Sequence, residues 1–233
     1  MTHPHPPGPA WPPAAPATPL AILVSGGLDS AVLLAEAARA YPAVFPLYVR
    51  TGLAWEGVER RHLDRFLAAV STPALRPVVV LDQPVADLYG DHWSLTGVGV
   101  PSAGTPDEDV FLPGRNVLLL AKPLLWCALN GVPEVAMAPL AVNPFPDATP
   151  EFFGDFTAAV NAAVHGSARV VRPYAELHKT EVIRRGSAFP LQHTFSCIRP
   201  AAELHCGRCS KCHERRVAFA EAGVADPTEY AAG

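Results

Sequence analysis

The stretch that most constrains the fold is residues 20–40. The apolar pentapeptide LAILV runs directly into Ser25-Gly26-Gly27-Leu28-Asp29-Ser30 and then into AVLLAEAARA. A short apolar run without alternation reads as a strand buried on both faces, the paired glycines as a tight turn, and the Ala/Leu-rich continuation as a helix. A strand covered on both faces belongs in a parallel sheet flanked by helices. The rest of the chain repeats the theme: residues 44–49, 75–81, 134–139 and 168–173 read as strands, and 58–70, 116–130, 150–165 and 176–185 as helices. Strands alternating with helices predict an α/β fold, a doubly wound parallel sheet. Pro46 and Pro77 remove ladder donors, so their strands are expected to start late or lie at an edge. Pro123 predicts a kink in the helix over 116–130. Residues 82–113 show no period, and a connection of that length is expected to be a lid or binding loop. There is no internal repeat.

At 233 residues, with 49% hydrophobic and 17% charged side chains, the chain can bury a full core but not two catalytic domains. The apolar runs are interrupted by Lys122, Pro123 and Asn130 long before the roughly 20 residues a membrane span needs. Residues 1–19 contain eight prolines and read as a disordered leader, without the apolar stretch of a signal peptide. The expectation is a cytoplasmic protein, whose clustered cysteines bind metal instead of forming disulfides. A net charge of −4 offers no global attraction to nucleic acid, and neither nucleic acid nor membrane is expected as a partner. The organisation expected is the leader (1–19), an ATP-binding α/β domain (20–186) and a C-terminal four-cysteine zinc-binding module with a final helix (187–233).

Between a strand and a helix, the hexapeptide SGGLDS places backbone N–H groups and the positive end of a helix dipole at one point, the arrangement that holds a phosphate. The glycines allow close approach, and the Ser25 and Ser30 hydroxyls are expected to add donors. No Gly-Lys-Ser/Thr follows, so it is not a Walker loop, and it lacks the dinucleotide Gly-x-Gly-x-x-Gly. Cys197, Cys206, Cys209 and Cys212 are spaced Cys-x8-Cys-x2-Cys-x2-Cys, which matches a closed tetrahedral Zn²⁺ site with a structural role. An iron–sulfur cluster is the alternative for a tetrathiolate. Cys127, within LLWCAL, reads as a buried small residue.

SGG-x-DS resembles the pyrophosphate loop of the N-type ATP pyrophosphatases. Together with the four cysteines, Phe111-Leu112-Pro113-Gly114-Arg115-Asn116 and Leu177-His178-Lys179-Thr180-Glu181-Val182, it resembles the 7-cyano-7-deazaguanine synthase family of that superfamily, over about residues 20–222. The resemblance implies an adenine nucleotide α-hydrolase-like fold and an ATP-dependent, AMP-forming carbon–nitrogen ligase of queuosine biosynthesis. Such an enzyme adenylates the carboxylate of 7-carboxy-7-deazaguanine and uses ammonia to reach the nitrile. It implies ATP, Mg²⁺ and Zn²⁺ as cofactors, a small-molecule substrate and ammonia as partners, and leaves a homodimer open. ATP is expected on Val24, Ser25, Gly26, Gly27, Leu28, Asp29 and Ser30, with Asp29, Ser30, Arg115 and Lys179 catalytic. Substrate is expected on Arg115, Phe145 and Asp147, between the long loop and residues 143–153, with Phe145 or Trp93 stacking on the heterocycle. Two segments depart from the family. Arg50-Thr51-Gly52-Leu53-Ala54-Trp55-Glu56-Gly57 stands where Gly-Gln-Arg-His is usual, and Ala148-Thr149 where the family has Cys-Arg. The remaining readings are a related enzyme with another acceptor, tRNA thiolation included, and a non-catalytic ATP-binding homologue.

Overall fold

The computed structural model describes residues 11–13, 16–141 and 143–232, with the backbone alone at 107 and 108. The first unit is as expected: β1 (Leu20–Val24), buried throughout, then α1 (Leu28–Ala40). There follow β2 (Val44–Arg50), α2 (Glu56–Ala69), β3 (Val79–Asp82), the one-turn helices α3 (Ala86–Tyr89) and α4 (Trp93–Thr96), α5 (Arg115–Asn130) and β4 (Glu134–Ala136). The chain ends with α6 (Pro150–Val164), β5 (Arg169–Val171), α7 (Lys179–Gly186) and α8 (Ser210–Ala222). The strands form one parallel sheet in the order β3-β2-β1-β4-β5. It is the doubly wound sheet expected. The order reverses between β1 and β4, and a crevice opens there outside the carboxyl ends of the strands.

Side-chain alternation along β1 builds both layers. Leu20, Ile22 and Val24 enter a core shared with α1, α2, α7 and α8. Ala21 and Leu23 enter a second core with Leu120, Leu124 and Cys127 of α5 and Phe153 of α6. Pro46 is accommodated by a gap in pairing. The N–H of Val44 donates to Ala74 and its carbonyl accepts from Arg76, so even-numbered residues of β2 face β3. The regular ladder resumes only at Leu47 opposite Val79. The donor missing at Pro46 falls in that gap, and β3 starts after Pro77 at the sheet edge, as proline chemistry requires. α5 runs through Pro123 as a single element. α7 begins at Lys179, later than the sequence pattern suggests, because the Glu181 carboxylate accepts the His178 N–H at 2.8 Å and fixes the helix start there.

The long connection is clasped to the rest of the protein. Trp93 stacks on Trp55 with ring centroids 5.9 Å apart, and the Ser210 N–H donates to the Pro101 carbonyl at 3.1 Å. The segment after Gly186 shares the main core, since Ala218, Phe219 and Ala222 of α8 lie in the cluster that contains β1. Arg215, 4% exposed, ties the segment internally by donating to Thr228 Oγ1, Ser196 Oγ and the Leu191 carbonyl. The leader is not wholly detached either. Trp11 packs on Tyr41, and its carbonyl accepts from Arg185 at 2.8 Å; residues 1–10, 14 and 15, also expected to be disordered, lie outside the described residues. Among the described residues no helix is long and apolar enough to cross a membrane.

The junction of α1 and α7 is closely fitted. A Cβ added at Gly186 would stand 2.4 Å from Val32 Cγ2, inside van der Waals contact. Gly186→Ala is therefore expected to destabilise the protein by about 1–3 kcal/mol through overpacking, measured as a lower urea midpoint with unchanged m-value.

Candidate functional site

The turn between β1 and α1 is shaped by its glycines and braced by its serines. Gly26 has φ +75°, and a Cβ there would meet the Glu59 carbonyl at 3.0 Å, so conformation and space both demand glycine. Gly27 caps α1 without a side-chain acceptor, leaving the N–H groups of the first turn directed at the crevice. The Ser25 and Ser30 hydroxyls, expected to be free donors, are partly used by the turn itself. Ser30 Oγ donates to the Gly27 carbonyl at 3.1 Å, and Ser25 Oγ accepts from the Gly27 N–H at 3.3 Å. The Gly26 carbonyl is held from outside by the Phe195 N–H at 2.8 Å. Asp29 receives Lys179 Nζ on Oδ2 at 2.5 Å, while its Oδ1 is buried with no hydrogen-bond partner.

A cavity of about 220 Å³ opens at the switch point, between this turn, the carboxyl ends of β2 and β4 and the start of α5. Of the residues expected from the sequence, Val24, Ser25, Gly27, Asp29, Ser30 and Arg115 line it, and Lys179 reaches its edge through Asp29. Asp147, Phe145 and Trp93 are not among the lining residues. Asp147 is buried against the start of α5, where its Oδ2 accepts the Asn116 N–H and its carbonyl accepts Asn116 Nδ2, both at 2.8 Å. A carboxylate suits that position because it meets an open amide at a positive helix end. It thereby sets the direction of α5, whose first residue is Arg115. Phe145 stacks on Phe111 with centroids 4.9 Å apart. Thr149 caps α6, its Oγ1 accepting the Phe152 N–H at 3.1 Å.

Sequence reasoning missed the wall formed by β2 and α2, which contributes Tyr48, Glu56 and Glu59. Glu56 Oε2 accepts the backbone N–H groups of Thr51 at 2.8 Å, Gly52 at 2.6 Å and Leu53 at 3.3 Å. Glu59 Oε1 accepts the Tyr48 hydroxyl at 3.0 Å. Burial pushes the Glu59 carboxyl up to about 8, against the Tyr48 hydrogen bond and the Arg115 charge, which pull it down. Tyr48 is pushed upward by burial and then by the two neighbouring carboxyls, so its hydroxyl stays a donor. The available signal was two carboxylates three residues apart in the first turn of a helix that follows a strand's carboxyl end.

Behind the loop, Cys197, Cys206, Cys209 and Cys212 bring four buried sulfurs within 4.8 Å of one another. The Cys197–Cys209 and Cys206–Cys212 Sγ separations are 3.8 and 3.9 Å. A single tetrahedral ion with bonds of about 2.3 Å to sulfur has edges of about 3.8 Å. Backbone N–H groups of Arg199 and Cys206 point at Cys197 Sγ, and those of Arg208 and Cys209 at Cys206 Sγ, at 3.3 to 3.4 Å, which favours thiolates. The four cysteines can hold one metal ion.

The family described as Queuosine biosynthesis protein QueC matches residues 20–223 of the chain. A 7-cyano-7-deazaguanine synthase from Thiobacillus denitrificans is 35% identical over 226 residues, covering 90% of this chain and 97% of that protein. One from Xanthomonas oryzae pv. oryzae is 35% identical over 225 residues, covering 90% and 96%. Among solved structures, a chain titled as a predicted subunit of tRNA methyltransferase from Methanocaldococcus jannaschii aligns with a TM-score of 0.46 and 13% identity, over 73% of this chain and 76% of its own.

Replacing one thiolate leaves three sulfurs and a broken tetrahedron. Cys212→Ser is expected to lower bound metal from about one ion per chain to a small fraction of that, read by elemental analysis of the purified protein. Gly26→Ala is expected to cost about 1–3 kcal/mol of stability from its left-handed backbone alone, read by chemical denaturation.

Proposed function

From the premise that the chain belongs to the Queuosine biosynthesis protein QueC family, we propose that it is an ATP-dependent ligase that converts 7-carboxy-7-deazaguanine and ammonia to 7-cyano-7-deazaguanine, with release of AMP and pyrophosphate. The observation that carries this reading is the open N-terminus of α1, with the Asp29–Lys179 pair and Arg115 around one cavity at the switch point. The substrate carboxylate attacks the α-phosphorus of ATP and pyrophosphate leaves. Ammonia then displaces AMP to give the amide, and a second ATP activates the amide oxygen before AMP leaves from it and the nitrile remains. Charge develops on phosphate oxygens in each activation, where fixed N–H donors and cations stabilise it most.

The first-turn amides of α1 would hold phosphate oxygens, and Lys179 and Arg115 would place positive charge on either side of them. The unpartnered buried Oδ1 of Asp29 fits a Mg²⁺ ion, which supplies charge neutralisation to the phosphates when bound. The cysteine site fits Zn²⁺ by donor set and edge length, and with four protein ligands its part is structural. The wide spacing of an iron–sulfur cluster finds less support in sulfurs this close. Thiolation chemistry would need a reactive cysteine outside the metal set. Cys127 is fully buried, and burial pushes its thiol up to about 12, which speaks against that reading.

Incubation with ATP, Mg²⁺, ammonium and 7-carboxy-7-deazaguanine is expected to yield the nitrile by mass spectrometry, with AMP and pyrophosphate by chromatography. ADP and orthophosphate as products would refute the adenylating chemistry. Formation of neither nitrile nor amide, with pyrophosphate exchange supported by another acid, would refute the acceptor. Asp29→Ala should abolish turnover with the fold retained by circular dichroism.

A further inference from the structure

We propose that Glu59, oriented by the Tyr48 hydroxyl, is the proton acceptor for the nitrogen that enters the substrate. The inference deepens the functional reading above and rests on it. When ammonia attacks the acyl adenylate, its lone pair forms the C–N bond, the C–O bond to AMP breaks, and AMP leaves with that oxygen. The nitrogen arrives with three protons and the amide retains two, so one proton must be taken up. Two further N–H protons leave between amide and nitrile, while the amide oxygen departs on the second AMP. A basic side chain inside the cavity is needed for these transfers.

The titratable groups on the wall narrow to one. Asp29 is paired with Lys179, and Arg115 is a fixed cation. Glu56 Oε2 is already occupied by three backbone amides, those of Thr51, Gly52 and Leu53. Tyr48 donates its proton to Glu59. Among the described residues no histidine lines the cavity. Glu59 accepts the Tyr48 hydroxyl on Oε1 and has the Trp55 side chain as a further hydrogen-bond neighbour, and it carries no ion pair among the described residues.

Position supports the same group. A Cβ built at Gly26 would lie 3.1 Å from Glu59 Cγ, so this side chain stands against the phosphate turn. In an acyl adenylate the reacting carbon is two bonds from the α-phosphorus, so a base next to that turn is next to the reaction. The groups that face Glu59 are Tyr48 from β2, Glu56 and Trp55 from its own helix, and Arg115 from α5. Burial dominates their combined effect and raises the carboxyl to about 8, a basicity suited to taking a proton near neutral pH.

The test is Glu59→Gln, which keeps size and polarity and removes the base. Acid-dependent ATP–pyrophosphate exchange should persist within a few-fold, while single-turnover conversion of adenylate to amide falls by about 10²–10⁴. The wild-type acyl-transfer rate should rise with pH through a limb near 8 that Glu59→Gln lacks and Tyr48→Phe displaces. Equal loss of both half-reactions, or loss of neither, overturns the proposal. If the wild-type protein shows no exchange with any acid, the functional reading falls and takes this one with it. A ligand-free measurement separates the two. A buried carboxyl raised from 4.5 to about 8 binds its proton more tightly folded than unfolded, so wild-type stability should decline as pH rises across that window. Glu59→Gln should flatten the decline. An unchanged pH–stability curve in the variant overturns the assignment of an ionisable buried base, whatever the substrate.

Discussion

The hydrogen bond from the Phe195 N–H to the Gly26 carbonyl, at 2.8 Å, joins the two halves on which the site depends. Gly26 sits in a left-handed conformation against the Glu59 backbone, so its carbonyl has no freedom to seek another partner. Phe195 lies two residues before the first cysteine of the metal cluster and packs against His62 and His205. The same segment supplies Ser196, whose N–H donates to His205 Nε2 at 3.1 Å and whose hydroxyl accepts from the buried Arg215. The turn between β1 and α1 therefore takes its shape from the cysteine-bearing segment as well as from its own glycines. The cysteine-bearing segment thus holds the turn without lining the cavity itself.

The electrostatics of the cavity follow from the same geometry. Three carboxyl groups and one guanidinium line the cavity. Repulsion is relieved at each acid by a different device. Asp29 is paired with Lys179, Glu56 is surrounded by backbone amides, and the half-buried Glu59 is pushed toward its neutral form by desolvation. Each device uses an element that the fold already provides: the start of α7, the turn after β2, and the packing of α2 beneath the loop.

The strand–turn–helix and the Cys-x2-Cys steps were legible in the sequence because each is a local pattern with one physical solution. The parallel sheet followed from alternation, and even the awkward prolines were informative, since Pro46 and Pro77 marked where the β2–β3 ladder is interrupted. What could not be read were the contacts made across long sequence separations. Asp147 precedes one helix but caps another, 31 residues earlier, because only the folded chain brings it to Asn116. Trp93 and Phe145 were expected to stack on a ligand, and the structure gives them Trp55 and Phe111 as partners. The C-terminal segment read as an appendage because its cysteines dominate its pattern, whereas its apolar residues Ala218 and Phe219 belong to the main core.

Residues 50–57, one of the two segments that depart from the family, also organise the unforeseen wall. Gly52 takes φ +86°, and the turn it makes folds the amides of residues 51–53 around Glu56. Trp55, directly before α2, packs into the cysteine cluster and so sets the start of that helix. With the start fixed, Glu59 falls three residues on, on the same face and beneath Gly26. A chain lacking the polar side chains usual at this turn thus presents two carboxyl groups in their neighbourhood, one bound by backbone amides and one pushed by burial toward its neutral form. Of the two departures, residues 50–57 border the cavity while Thr149 caps α6, and the SGGLDS turn and the four cysteines keep the pattern on which the resemblance rests.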